Sequence, residues 1–351
     1  MRNSLRPENP ATGGFRAVQA PAVVVAGWLA VLAPTLVALA GVEPDGVWIY
    51  VPFVLSVVVF GLPHGAVDHL VLLRLAGAPL SPRPLLGVLT TYLAIGLIYL
   101  ACWFIAPLAS FVFFIALTWF HWGQGDVHSL LALTGGRHLP TRWQRVLALV
   151  VRGGLPMLVP LLAFPAVYLD VAGWVVGAID ADIAMGSGIA PGIVVGATMA
   201  FAALCVVHVL AGWRAAPAGD RHGWAIDAFE TGLLALFFAT VHPLLAIGLY
   251  FCLWHSLRHI VRLVGAPGGY VPASTGRPWR AFALHAVPTT ALALLFLAGL
   301  YALVPVTPAS LSDAIGLYLI LIAVLTLPHV WVVLRMDRAE GVWNAAGATH
   351  S

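Results

Sequence analysis

No lysine occurs anywhere in the 351 residues, and charged residues of both signs make up only 9% of the chain. A soluble protein carries roughly 25% charged residues, so this composition excludes a soluble globular domain. Basic character rests on arginine alone, with no basic face of interleaved aromatics, which excludes a nucleic-acid surface. Cysteine is scarce: Cys102, Cys205 and Cys252 are odd in number and lie in apolar runs, so no disulfide framework is expected and they read as small buried residues. Missing too are internal repeats and any polar segment long enough to fold separately. What is present is 61% hydrophobic residues and a mean hydropathy of +0.96, the composition of an integral membrane protein.

Hydropathy predicts an all-α polytopic membrane bundle of about ten transmembrane helices, each about 20 residues long. They run over Pro21–Gly41, Val47–Leu73, Leu85–Ala106, Ala109–Leu133, Val146–Val167, Ala190–Trp213, Ile226–Thr240, Pro243–Val264, Trp279–Val304 and Leu311–Leu334. The first ends in Ala38-Leu39-Ala40, like a signal-peptide cleavage site, but its length is nearer a membrane span than the 7–15 residues of a signal core. The seventh and eighth separate at His242-Pro243, a natural turn. Asp170, Asp180 and Asp182 punctuate a semi-apolar stretch expected at the membrane interface. One membrane domain over residues 21–335 is expected, between tails at 1–20 and 336–351.

Arginine orients the bundle. Every arginine falls in the N-terminal tail, in an even-to-odd helix connection or its flanks, or after the tenth helix. The opposite connections carry acids: Glu43 and Asp45, then Asp170, Asp180 and Asp182, then Asp313. The positive-inside rule then places both termini in the cytoplasm. Fusing the seventh and eighth spans would put Arg258, Arg262, Arg277 and Arg280 outside, so the charge pattern favours ten spans over nine.

Against this apolar background the histidines stand out, because lipid cannot hydrogen-bond an imidazole and ionisable groups in a span are candidates for function. At about 1.5 Å per residue, His64, His121, His255 and His259 all fall between the midplane and the cytoplasmic interface. His255 and His259 are four apart and share a helix face, so one helix offers two nitrogens to one ion. Alone this pattern is weak, since a hydrogen-bonded interhelical histidine gives the same spacing; His64 and His121 at matching depth favour a metal. Neutral imidazoles suit iron, copper or zinc. Asp68 and Asp126 are then placed to accept the ligands' far N–H groups, or alternatively to relay protons. His69 points away from His64 near the helix end. His329, after Pro328, has the depth to line the same cavity, whereas His128 and His138 are expected in a solvated loop, and His208, His285 and His242 read as structural. Trp119, Trp122, Trp254 and Trp331 are packing aromatics or the walls of a pocket for a flat apolar substrate.

GLPHGAVDH, FHWGQGD, WHSLRH and LPH, in this order, resemble the Brp/Blh family of bacterial and archaeal membrane β-carotene 15,15'-dioxygenases, over the second to the tenth helix. The resemblance implies oxidative cleavage of β-carotene by O2 at the central double bond, giving two all-trans-retinal. It also implies Fe(2+) held by His64, His121, His255 and His259, with His69 in the same motif as His64. Asp68, His69, Asp126 and His329 would surround these ligands. Membrane lipid and a retinal-binding opsin are the partners expected from it, the retinal supplying the chromophore of a microbial rhodopsin. An apolar substrate would enter laterally from the bilayer.

Three other readings compete. A di-iron desaturase needs eight or more clustered histidines and several HxxxH or HxxHH runs, and only one HxxxH is present. A proton or metal transporter could use Asp68, Asp126, Asp227 and Glu230, but lacks polar groups in the outer half. A non-enzymatic factor for rhodopsin assembly needs no converging histidine layer.

Overall fold

Proline and glycine set where the helices start and stop. The computed structural model describes residues 20–42, 44, 46–186, 188–265, 270–271, 278–305 and 309–344. Its helices are α1 (Ala20–Leu39), α2 (Val51–Val58), α3 (Gly61–Gly65), α4 (Asp68–Leu75), α5 (Pro82–Ile105), α6 (Pro107–Thr134) and α7 (Arg142–Ala163). There follow α8 (Pro165–Gly177), α9 (Pro191–Ala215), α10 (His222–Thr240), α11 (Pro243–Leu249), α12 (Leu257–Gly265), α13 (Pro278–Leu303) and α14 (Leu311–Glu340). A π-helical segment, Tyr250–Ser256, joins α11 to α12 without a break. Helices α2, α5, α6, α8, α9 and α11 carry proline in the first two positions, where its missing N–H costs no hydrogen bond. Helix α6 stops at Gly135 and α14 at Gly341, both left-handed at φ 73° and 67°.

Among the described residues there is no strand, and eight helical stretches are long and apolar enough to cross a membrane. The other two expected spans are also helices, α6 of 28 and α10 of 19 residues. Their apolarity is diluted by His121, Gln124, Asp126 and His128 in one and by Asp227 and Glu230 in the other. The protein is thus a multi-pass helical bundle. The expected tail at 1–20 and the acids Glu43 and Asp45 lie outside the described residues, apart from Ala20.

Two expectations about helix limits change. The fifth helix ends at Ala163, not Val167, and the stretch holding Asp170 forms a separate helix, α8, that buries Ala172, Val175 and Val176 against α14. Pro165 cannot continue the preceding helix, which sets that break. The final helix runs on past residue 335 to Glu340, with Asp337 fully buried, because these acids find buried partners.

The second expected span is interrupted into α2, α3 and α4. A side chain at Gly61 would collide with the Ser56 carbonyl oxygen, and its place is taken by that oxygen and the Phe251 ring. The interruption turns His64 into the bundle. Helices α6 and α7 cross at similarly close range: a Cβ on Gly123 would strike the Leu149 carbonyl, and one on Gly153 would lie 3.0 Å from the Gly123 nitrogen.

Beside this crossing lies a buried ionic network. Arg152 donates to Asp126 at 2.9 Å and Glu230 at 2.5 Å, while Arg258 reaches Glu230 at 2.6 Å. Trp28 also donates to Glu230, at 2.8 Å. Asp227 faces His138 at 3.2 Å and His208 at 3.0 Å. Asp227 and Glu230 are therefore held in closed ion pairs. His128 and His138, expected in a solvated loop, are instead buried, at 4% and 1% exposure, because Glu340 lies 3.1 Å from His128 and Asp227 receives His138.

Candidate metal centre

Five histidines from five segments meet in one place. His64 comes from α3, His121 from α6, His255 from the π-helical segment, His259 from α12 and His329 from α14, and all are buried. The His64 ring lies 5.5 Å from His255, 5.6 Å from His259 and 4.9 Å from His329, centroid to centroid. His121 lies 4.8 Å from both His255 and His329, and His259 is 5.1 Å from His329. His255 and His259 thus flank His64 together.

Hydrogen bonds show which nitrogens face inward. His64 Nδ1 is engaged by the Gly61 carbonyl, and Ser256 Oγ is 3.3 Å away, so its Nε2 remains. His121 Nδ1 approaches Gln124 Oε1 at 3.5 Å, and Gln124 in turn donates to Asp337 at 2.8 Å. His121 Nε2 then faces His255 Nε2 at 3.1 Å. Two neutral imidazole nitrogens that close must share a proton or a cation. His329 Nδ1 is 2.7 Å from Asp68 Oδ2, which also accepts from Tyr92 at 3.2 Å. Three buried atoms have no hydrogen-bond partner at all: His259 Nε2, His329 Nε2 and Asp68 Oδ1.

Such orphaned acceptors are costly in a bundle interior, and a cation relieves them. Ligand atoms of His64, His121 and His255 lie within 4.8 Å of one another, as do those of Asp68, His259 and His329. A transition metal bonds nitrogen at about 2.1 Å and so spaces its ligand atoms about 3–4 Å apart; small ring movements close the difference. The donor set fits a metal ion.

The remaining candidates are placed as follows. Asp68 holds His329, whereas Asp126 holds no histidine: it accepts from Arg152 at 2.9 Å and from the Trp254 ring nitrogen at 3.0 Å. The Trp254 ring is covered by Arg258 at 3.8 Å, so it braces the helix behind the cluster. Trp119 donates to the Val150 carbonyl at 2.8 Å, and Trp331 packs beside Arg335 at 5.6 Å. Trp122 alone of the four lines the cavity described next, 5.8 Å from the His255 ring. His69 lines that cavity away from the five-ring cluster.

An apolar cavity of about 520 Å³ abuts the cluster and reaches His64, His121, His255 and His329. Along α14 its lining runs from Tyr318 to His329, about 17 Å at the α-helical rise. The histidines lie at the end of α14 that carries the arginines. Leu93 and Leu97 on α5, and Leu295 and Phe296 on α13, both line the cavity and are exposed on the outside of the bundle. The cavity therefore opens sideways between α5 and α13, toward where lipid would lie.

Fold and site together define a multi-pass membrane protein with a histidine cluster that could hold a transition metal beside a laterally open apolar cavity. The family model for beta-carotene 15,15'-dioxygenase matches residues 55–337. The chain is 40% identical over 337 residues to the "Probable beta-carotene 15,15'-dioxygenase Blh" of Halobacterium salinarum strain NRC-1, covering 95% of this chain and 97% of that protein. It is 32% identical over 314 residues to the "Probable beta-carotene 15,15'-dioxygenase Brp" of Halobacterium salinarum strain R1, covering 83% and 84%. No solved structure matches. The chain belongs to the β-carotene 15,15'-dioxygenase family of enzymes.

Two features of the site carried weaker sequence signals. His329 is a single histidine, and only its depth and the preceding Pro328 point to the cavity. Gln124 and Asp337, 213 residues apart, carry no motif that links them.

Proposed function

We propose that the protein cleaves β-carotene at its central 15,15' double bond with O2, giving two all-trans-retinal. The observation that carries this reading is the convergence of buried histidines at one end of a sideways-open apolar cavity. In balance, one C40 polyene and one O2 give two C20 aldehydes, each cleaved carbon receiving one oxygen atom. The cavity holds the polyene and excludes water from it, while its opening between α5 and α13 admits a substrate dissolved in lipid. Trp122 and Phe251 border the ring of His255 on the cavity side and fix where the chain can lie.

Iron is the metal proposed, with His64, His121, His255 and His259 as ligands. When bound, it supplies the activation of O2 that spin rules otherwise make slow. Neutral imidazoles hold it without a buried anion, which would be costly in this medium. Gln124 orients the His121 ring through its Nδ1, and Gly61 does so for His64. The remaining parts of the reading are a single catalytic domain over residues 21–335, cytoplasmic tails at 1–20 and 336–351, residence in the cell membrane, and supply of retinal to an opsin.

The test is expression in cells that accumulate β-carotene, with colour loss and retinal measured beside His64→Ala, His121→Ala, His255→Ala and His259→Ala at equal abundance. Retinal from the parent chain and its loss in all four variants is the expected result. A folded, iron-replete parent that leaves β-carotene intact overturns the activity, and retinal from His255→Ala overturns the ligand set.

A further inference from the structure

The imidazole of His329 stands apart from the four ligands proposed above, yet it is as close to the cluster's centre as they are. Its centroid is 4.9 Å from His64, 4.8 Å from His121 and 5.1 Å from His259. A metal about 2.1 Å from a ring nitrogen lies about 3.2 Å from that ring's centroid, which spaces neighbouring ligand rings about 4.5–5.2 Å apart. All three contacts fall in that range.

Orientation agrees with distance. His329 Nδ1 is held by Asp68 Oδ2 at 2.7 Å, so it carries the proton and donates, leaving the Nε2 lone pair free. Tyr92 keeps the carboxylate in place by donating to the same oxygen at 3.2 Å and to the Leu325 carbonyl at 3.2 Å. His329 Nε2, buried in the cluster, has no partner of any kind. A carboxylate behind one ring nitrogen and an empty lone pair in front is how proteins orient a metal-binding histidine. Gly65 packs a would-be Cβ only 3.4 Å from His329 Nδ1, so the ring has little freedom to turn away.

We propose that His329 is a fifth ligand of the same ion, with Asp68 and Tyr92 as its positioning residues. The inference rests on the metal reading above. It departs from a two-ion arrangement, in which His64, His121 and His255 would hold one cation and Asp68, His259 and His329 another. Between those groups, the contacts of His64 and His121 with His329, at 4.9 and 4.8 Å, are as short as the 4.8 Å from His121 to His255 within one group. Two separate ions would draw each group inward and leave the contacts between groups longer. Five imidazoles on one ion leave a sixth position open at the cavity wall, where both substrates meet.

The experiment is anaerobic Fe(II) titration of the purified full-length protein, with iron per chain counted and the nitrogen coordination number taken from X-ray absorption. His329→Ala, Asp68→Asn and His255→Ala are compared with the parent chain. The expected result is one iron per chain, about five nitrogen neighbours falling to about four in His329→Ala, and affinity reduced about 10–100-fold in Asp68→Asn. His329→Gly regaining iron affinity on addition of imidazole supports ligation over a purely structural role, and Asp68→Asn keeps the test open if the alanine variant misfolds. An unchanged coordination number and affinity in His329→Ala, while His255→Ala loses iron, overturns the fifth ligand alone. Two irons per chain overturns the single-ion arrangement. No iron in the parent chain overturns this inference together with the metal reading beneath it.

Discussion

Replacing Arg152 by methionine should destabilise the bundle more than any change at its lipid-facing surface. Arg152 is completely buried, and its guanidinium joins Asp126 at 2.9 Å, Glu230 at 2.5 Å and Asp227 at 3.8 Å. Methionine fills similar volume but leaves three carboxylates facing Arg258 and the histidines on Asp227. Removing one member of a buried pair typically costs about 3–5 kcal/mol, or about two to three and a half decades in the folded-to-unfolded ratio. Because much of that cost comes from the orphaned anions, adding Asp126→Asn to Arg152→Met should recover part of the loss. Equilibrium unfolding in mixed detergent micelles, followed by tryptophan fluorescence, measures both. A loss below about 1 kcal/mol in the single variant, of the order of an exposed ion pair, would refute the view that these charges act as one closed network.

Other outcomes follow from the same geometry. Gly123→Ala places a methyl group against the Leu149 backbone carbonyl, so α6 and α7 must separate; a stability loss of about 1–3 kcal/mol and weaker iron binding are expected from unfolding and iron-content measurements. Gly299→Phe projects into open cavity space and should lower retinal formation about tenfold or more with the unfolding temperature unchanged, as a product assay and a melting curve would show. Gln124→Leu removes the acceptor for His121 Nδ1 and should weaken Fe(II) binding about 10–100-fold, whereas Gln124→Glu, which keeps an acceptor, should bind more tightly than Gln124→Leu in the same titration.

How much of this could be read from the chain differs between its parts. The bundle was legible because hydropathy and arginine placement act over 20-residue windows and need no knowledge of neighbours. The meeting of His64, His121, His255 and His259 was legible because helix rise converts sequence position into depth. Depth says nothing about azimuth, however. Trp254 and Trp331 have the right height, but they face Asp126 and Arg335. Asp126 is five residues from His121 and nevertheless serves the arginines, a pairing set by α7 and α12. Asp68 and His329 are 261 residues apart, and only the packing of α4 on α14 joins them. The breaks around Gly61 were likewise hidden, since they arise from the approach of Phe251 and the Ser56 carbonyl.

The π-helical turn at Tyr250–Ser256 gives the site a history as well as a shape. A π-turn accommodates one residue more than an α-helix over the same length, so it is the mark that a single-codon insertion leaves in a helix. Everything on one side of it, including Leu244 and Ile247, keeps its register with α2 and α14, while everything on the other, including Arg258 and His259, is rotated by about 100° from where an uninterrupted helix would carry it. Restoring a plain helix by deleting one residue would therefore uncouple His255 from His259 without touching either side chain. A chain that gained this one residue could acquire its histidine pair in a single step and keep the rest of an existing bundle, which makes the insertion a marker for tracing where in the lineage the chemistry arose.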